Sequence, residues 1–285
     1  GSRITHSPEP ILMPLSVLIS IYSATTAQDL TACLDSLAAQ TLPADEILIV
    51  EDGPLSEDTA KYLQQAKLLL PIRVLSYPKN RGLGLALRDG LLECSYELVA
   101  RVDSDDRSLA ERFSKQVTFL DANPNISVVG GGLREWFNKS IRPICKVRNG
   151  PIDPRHIGNR ARRRNPLNHP TVMFRRSAVL SCGNYQPCEL FEDYFLWARM
   201  VQTGYQIINL ADVLVETDVD LNYFSRRGGS NYLGKEIAFA QKLRQIGFFS
   251  KIDFALFLIS RIPVRLIPLH FRPIFYRHFL RNSPI

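Results

Sequence analysis

Short apolar, β-branched runs alternate with stretches of helical spacing through the first part of the chain, and this alternation limits what it can fold into. Residues 15–21 read Leu-Ser-Val-Leu-Ile-Ser-Ile, a buried strand. Leu30, Cys33, Leu34, Leu37 and Ala38 then recur at helical spacing, and Pro43 closes the connection. Residues 46–50 form the second predicted strand, with Glu51-Asp52-Gly53-Pro54 as a turn at its carboxyl end. A helix is predicted over 56–68 with Ser56 as its N-cap, a strand over 72–76, and a helix from the Asn80–Gly84 stretch to Glu93. The fourth strand spans 97–102, and a helix over 109–121 stops at Asn123-Pro124. Strands and helices in this rhythm build a mostly parallel sheet with helices on both faces. In such sheets ligands bind beyond the carboxyl ends of the strands. The loops after Ile21, Val50 and Val102 lie at those ends, and each carries polar or acidic residues.

The fourth run ends in Asp103-Ser104-Asp105-Asp106, three carboxylates in four positions. Like charges this close repel, and the cost grows as the dielectric falls. The arrangement calls for a cation among them. A divalent metal carrying a diphosphate meets that need, because hard cations bind through one or two carboxylates plus substrate phosphates. Taken alone, the same residues also read as an acidic turn, with Asp106 capping the following helix.

The 285 residues, 45% hydrophobic and 22% charged, suffice for one large α/β domain or a domain with an appendage. Cys33, Cys94, Cys145, Cys182 and Cys188 form neither a CxxC pair nor a zinc spacing, and read as free thiols of a reducing compartment. Gly1-Ser2 reads as a cloning remnant, residues 1–12 as a disordered leader, and the fold is expected to start near Met13. No signal peptide is evident, and no apolar run approaches the roughly 18 residues of a membrane span.

The net charge of +7 is uneven. Residues 251–285 carry six basic side chains against Asp253 alone, interleaved with Phe, Ile and Leu. Prolines 263, 268 and 273 argue for short amphipathic pieces rather than one long helix. Such segments lie in membrane interfaces, so an anionic membrane surface is the expected partner of residues 251–285; packing on the domain or on a second subunit is the alternative. A second basic block, residues 155–176, holds seven arginines and no acid. Residues 155–168 are expected to be a mobile loop, whose Arg160–Arg164 run is either simply solvated or a lid or anionic-acceptor contact.

The remainder is less regular. Residues 126–131, 133–137 and 141–147 read as strands of an antiparallel flank, and 171–174 as another strand. A helix is predicted over 191–202 with Glu192 and Asp193 in its first turn, short strands at 207–208 and 213–215, and a long amphipathic helix over 229–246.

In this order, Ile21-Tyr22, Val50-Glu51-Asp52-Gly53, the Asn80-Arg81-Gly82-Leu83-Gly84 stretch, Asp103-Ser104-Asp105-Asp106, His169-Pro170 and Glu192-Asp193-Tyr194 resemble the family 2 glycosyltransferases of GT-A fold, including bacterial polysaccharide and lipopolysaccharide transferases. The resemblance covers about residues 14–230. It implies a GT-A, Rossmann-like α/β domain over 13–230, with a nucleotide-binding half (13–107), an acceptor half (108–230) and a basic amphipathic helical extension (231–285). It also implies an inverting, hexosyl-type transfer from a nucleotide-diphosphate sugar, with UDP the expected carrier, to a hydroxyl of a surface-glycan or lipid-linked acceptor.

By the same resemblance Asp105 ligates Mn2+ or Mg2+, with His169 near the metal or diphosphate. Asp103 approaches the ribose or the metal's water shell, and Asp106 supports both. Asp52 reads the base with Glu51 beside it, Tyr22 lines the base or ribose pocket, and Arg81 and Arg226 face the donor. Asp193 is the general base, and Glu192 positions the acceptor. Each acid has a plainer reading: a turn for Glu51-Asp52, a dipole complement at a helix start for Glu192-Asp193, a structural histidine for His169. The implied setting is cytoplasmic, peripheral at the inner face of the membrane; nucleic acid is not an expected partner, and a homo-oligomer is left open. A dead GT-A scaffold that binds membranes is the rival reading. A sugar nucleotidyltransferase is another, opposed by the lack of a glycine- and lysine-rich phosphate loop near the first strand.

Overall fold

A computed structural model describes residues 13–137, 144–219 and 229–266. The first half follows the alternation closely: β1 (Leu15–Ile21), α1 (Ala27–Ala38), β2 (Glu46–Asp52), α2 (Glu57–Ala66), β3 (Ile72–Tyr77), α3 (Leu83–Glu93) and β4 (Leu98–Asp103). Ser56 caps α2 by accepting from the Thr59 amide, as its position suggested. Then come β5 (Asp106–Ser108), α4 (Arg112–Ala122), β6 (Ile126–Phe137), β7 (Ile144–Arg148) and α5 (Pro154–Ala161). A 3-10 turn at His169–Thr171 leads into β8 (Met173–Arg175), α6 (Arg176–Ser181), α7 (Glu192–Gln202), β9 (Gln206–Val219), α8 (Ser230–Gln245) and α9 (Lys251–Leu266).

One sheet runs in the order β3-β2-β1-β4-β8-β6-β9-β5, with β7 paired to β6. β3, β2, β1 and β4 are parallel, and β8 joins β4 antiparallel. β1 and β4 are neighbours although α1, β2, α2, β3 and α3 lie between them in sequence, so the chain reverses its direction of travel across the sheet there. That switch point opens a crevice at the carboxyl ends of β1 and β4. Strand residues alternate between two cores. Val17, Ile19 and Ile49 pack beneath α1, α2 and α4, while Leu18, Leu48 and Val50 pack against α3, α6 and α7.

Several expectations are corrected. Glu51 and Asp52 are the last residues of β2 rather than a turn. Asp106 does not cap a helix: it opens β5, whose register with β9 pairs it with Thr217. The two strands expected over 126–137 are one strand with bulges around Gly130–Gly132, and those expected at 207–208 and 213–215 are both parts of β9. The flank is mixed, because β6 runs antiparallel to β7 and β8 but parallel to β9. Residues 155–161 are helical rather than loop. Asp153 Oδ1 accepts from the Arg155 amide, Pro154 occupies the first turn, and Ile157 and Ala161, four apart, are buried.

Pro263 does not divide the tail, because α9 runs through it. α8 and α9 cover α7 through Tyr194, Phe239, Phe249 and Phe257. Arg265 donates through Nε and Nη2 to the two carboxylate oxygens of Glu236, at 2.7 and 2.8 Å. The start of the basic tail therefore packs on the domain. The outer side of α9 leaves Ile252, Leu256 and Ile259 exposed. No helix among the described residues is long and apolar enough to cross a membrane.

Candidate active site

The acidic run meets its cation inside the chain. Arg101 and Asp103 lie two apart on β4, hence on one face of the strand, and both guanidinium Nη atoms of Arg101 bond the two carboxylate oxygens of Asp103. Arg101 is buried and sits in an otherwise apolar strand segment. Behind it Arg112, also buried, donates to the Arg101 carbonyl at 2.8 Å and the Ser108 hydroxyl at 3.0 Å, fixing β4 against α4. Asp105 and Asp106 receive no such pairing. Burial first, then the Asp103 charge, raises the pKa of both, and Asp106, buried beside Thr217, is held well above the usual carboxylate range. The repulsion inferred from the sequence is thus present, and Arg101 relieves it at Asp103.

The β1 and β2 ends complete this side. Tyr22 is exposed just past β1. Its amide donates to Thr25 Oγ1, which lies 3.4 Å from Ser104 Oγ in the acidic run. Asp52 is 2% exposed, and its carboxylate accepts from the Arg81 and Gly82 amides at 2.9–3.1 Å. Gly53 has φ +94°, and a Cβ there would lie 2.7 Å from the Asn80 amide nitrogen, so the turn admits only glycine without displacing that backbone. Asp52 holds the Asn80–Gly84 loop. Arg81 lies over the Tyr77 ring and pairs with Asp89 at 3.0 Å. Glu51 accepts from Ser76 Oγ at 2.8 Å.

The opposite wall is the start of α7. Gly84, in the first turn of α3, approaches it so closely that a Cβ there would lie 3.4 Å from Glu192 Cβ. Glu192 is 9% exposed, and burial, then the Asp193 charge, pushes its pKa up to about 7. The charges of Arg101 and Asp103 also act on Glu192, which ties the β4 and α7 groups into one electrostatic unit. Asp193 is partly exposed and accepts a 2.6 Å hydrogen bond from the Asn165 amide.

His169 sits deeper. Its Nε2 lies 3.0 Å from the Tyr185 hydroxyl, and its ring meets Trp197 edge-on. Burial and then Arg101 hold its pKa well below the usual value, so the ring is neutral. His169, expected near a metal or diphosphate, is packed here against Trp197 and bonded to Tyr185. Arg226 lies outside the described residues.

Among the described residues no three His, Cys, Asp or Glu side chains form a ready-made metal cage. The donor set that does fit Mn2+ or Mg2+ is Asp105 with Asp103: hard oxygens under mutual repulsion, with phosphate oxygens to complete the shell.

The sequence pattern thus brings the residues following β1 and β4 and the start of α3 together with the start of α7. It missed Arg101, Asn165 and Tyr185. Arg101 had a signal, a lone charge within an apolar strand run; Asn165 and Tyr185 had none.

The chain resembles the S. aureus protein TarS (residues 1–349) solved with UDP-GlcNAc, with a TM-score of 0.65 at 18% identity over 95% of this chain and 76% of that one. The fold is that of the GT-A glycosyltransferases. Residues 16–181 match the model of glycosyl transferase family 2, and the chain belongs to that family. Two relatives are similar over nearly their whole length. The amylovoran biosynthesis glycosyltransferase AmsE of Erwinia amylovora is 37% identical, covering 89% of this chain and 94% of its own. The UDP-Gal:alpha-D-GlcNAc-diphosphoundecaprenol beta-1,3-galactosyltransferase of Escherichia coli is 32% identical, covering 94% and 96%. The chain is accordingly a glycosyltransferase.

Proposed function

We propose that this enzyme transfers a hexosyl unit, with inversion, from a UDP-sugar to a hydroxyl of a lipid-linked saccharide during assembly of a bacterial surface glycan. The observation that carries this reading is the electrostatic unit formed by Asp103 and Arg101 at the end of β4 and Glu192 and Asp193 at the start of α7. The names of the two relatives, one an amylovoran biosynthesis glycosyltransferase and one a galactosyltransferase whose name carries a diphosphoundecaprenol acceptor, support the acceptor class. The UDP-GlcNAc complex of TarS supports the donor class.

The crevice receives the donor with its diphosphate toward Asp103 and Asp105. A divalent Mn2+ or Mg2+ held by those two carboxylates would neutralise charge developing on the departing diphosphate. Asp193, oriented by Asn165, stands where an acceptor hydroxyl can give up its proton. The acceptor oxygen bonds to the anomeric carbon, its proton passes to Asp193, and the bond from that carbon to the UDP oxygen breaks. Placement at a helix N-terminus favours ionised Asp193. Glu192, titrating near neutrality, positions the acceptor sugar. An acceptor on a lipid carrier places the enzyme at the inner face of the cytoplasmic membrane, with residues 251–285 toward that surface.

The test is a pair of variants. D193N is expected to abolish transfer while UDP binding, read by thermal shift with Mn2+, stays near wild type. D105A is expected to lose the UDP- and Mn2+-dependent shift. A D105A protein stabilised by UDP and Mn2+ as strongly as wild type would end this reading.

A further inference from the structure

The Arg160–Arg164 block has no part in the reading above, yet it adjoins the acceptor side of the site. Asn165, whose amide holds Asp193, directly follows Arg164 in sequence. Arg160, Arg162, Arg163 and Arg164 are all exposed at the end of α5 and the turn that follows. α9 backs this turn. Arg261 Nη2 donates to the Arg163 carbonyl at 2.8 Å, and Asp253 lies 3.7 Å from Arg162. Nearby acid is scarce and already engaged: Glu236 is bidentate to Arg265 and lies 3.8 Å from Arg261, and Asp253 faces Arg162. Among the described residues no carboxylate lies within ion-pair distance of Arg160, Arg163 or Arg164. Partial burial and then the Arg160 charge lower the pKa of Arg164, as expected where guanidinium groups crowd without an anion. Arg164 in turn acts on Arg261, and Arg160 and Arg261 both act on Tyr194, next to Asp193. The same helix that carries Arg261 exposes Ile252, Leu256 and Ile259, spaced as one stripe.

We propose that Arg160 and Arg164 bind the diphosphate of the acceptor's lipid carrier, and that the Ile252–Leu256–Ile259 stripe receives the first units of its hydrocarbon chain. This rests on the lipid-linked acceptor proposed above. Such an acceptor presents in order a reacting hydroxyl, a sugar ring, two phosphates and a hydrocarbon. The chain presents Asp193, Asn165 and the arginines in that order, and the helix that backs the arginine turn carries the apolar stripe on its outer side. Guanidinium groups are the donors best shaped for phosphate oxygens, and crowded cations gain most from a dianion.

The experiment titrates the 285-residue chain, its donor site saturated with UDP and Mn2+, with farnesyl diphosphate, farnesol and inorganic diphosphate. Wild type is expected to bind farnesyl diphosphate and not farnesol. R160Q/R164Q is expected to weaken that binding by roughly tenfold or more, as loss of two charge-assisted contacts requires, with UDP affinity and melting temperature unchanged. L256S/I259S is expected to weaken farnesyl diphosphate but not inorganic diphosphate. Equal farnesyl diphosphate affinity in wild type and R160Q/R164Q overturns the site. So does a variant that loses UDP in parallel, since the arginines would then serve the donor. So does a defect confined to pelleting with phosphatidylglycerol vesicles, since the arginines would then read phospholipid headgroups. Wild type that binds farnesyl diphosphate but not UDP leaves the site standing and sinks the donor reading instead.

Discussion

Arg101 grips Asp103 from two residues upstream on the same strand, so the first acid of the acidic run is neutralised before any ligand arrives. Asp105 and Asp106 keep their repulsion. The run therefore divides into an anchored carboxylate and two whose charge is costly, and at Asp105, beside Asp103, that cost is what a donor-borne cation would relieve.

Arg101 is buried but Asp103 is 34% exposed, so losing the guanidinium strands the carboxylate only in part. R101M is expected to lower unfolding free energy by about 1–3 kcal/mol in urea titrations. R101K is expected to recover only part of it, because an ammonium cannot fork onto two oxygens. Wild-type stability in R101M would mean that the Arg101–Asp103 contact has no structural weight.

Asp105 behaves oppositely. Its folded-state pKa is raised, so its contribution to stability is full below the ordinary carboxylate value and is lost as pH rises through the raised value. D105N stays neutral throughout. Without ligand it is expected to melt above wild type at pH 8, and the gap should close on acidification. With UDP and Mn2+ the order is expected to reverse, because only wild type gains from binding.

Glu192 titrates from an ordinary value of 4.5 up to about 7, chiefly through burial. The stability it contributes is present below 4.5 and is lost as pH rises through about 7. E192Q, which mimics the protonated form, is expected to be more stable than wild type at pH 8.5, by roughly 2–4 kcal/mol, and no more stable at pH 4.5. Melting curves at the two pH values decide it. An equal difference at both would show that ionisation of Glu192 costs the fold nothing.

The parallel half was legible because strand and helix periods are local: Val17, Ile19 and Ile49 on one face and Leu18, Leu48 and Val50 on the other follow from alternation alone. What failed was set by distant partners. Asp106 is strand because β9 lies beside it, and nothing within several residues of Asp106 encodes that. α5 carried a local signal, Asp153-Pro154 followed by Ile157 and Ala161, but the arginine run masked it. In the site, position along the chain identified the acids, while their roles turned on contacts invisible in sequence. Asp52 and Asp103 are both strand-end aspartates, yet one is closed by the Arg81 and Gly82 amides and the other by Arg101.

The tail divides at the end of α9 in what its loss should do. Phe257 packs on Phe239 and Phe249, and Arg265 neutralises Glu236, which is 2% exposed. Deleting residues 251–285 uncovers those rings and leaves Glu236 buried without its bidentate partner, a loss of about 3–5 kcal/mol from the ion pair alone. That truncation is expected to accumulate in the insoluble fraction. E236Q in the same background is expected to restore part of the soluble yield, because it removes the stranded charge but not the exposed aromatic surface. Deleting only residues 267–285 keeps every α8–α9 contact described above, and is expected to leave the melting temperature near that of the full chain. Any fall in membrane pelleting of that shorter truncation then reports on membrane affinity rather than misfolding. A 251–285 deletion that stays soluble and melts like the full chain would show that α9 is an appendage and not part of the α7–α8 core.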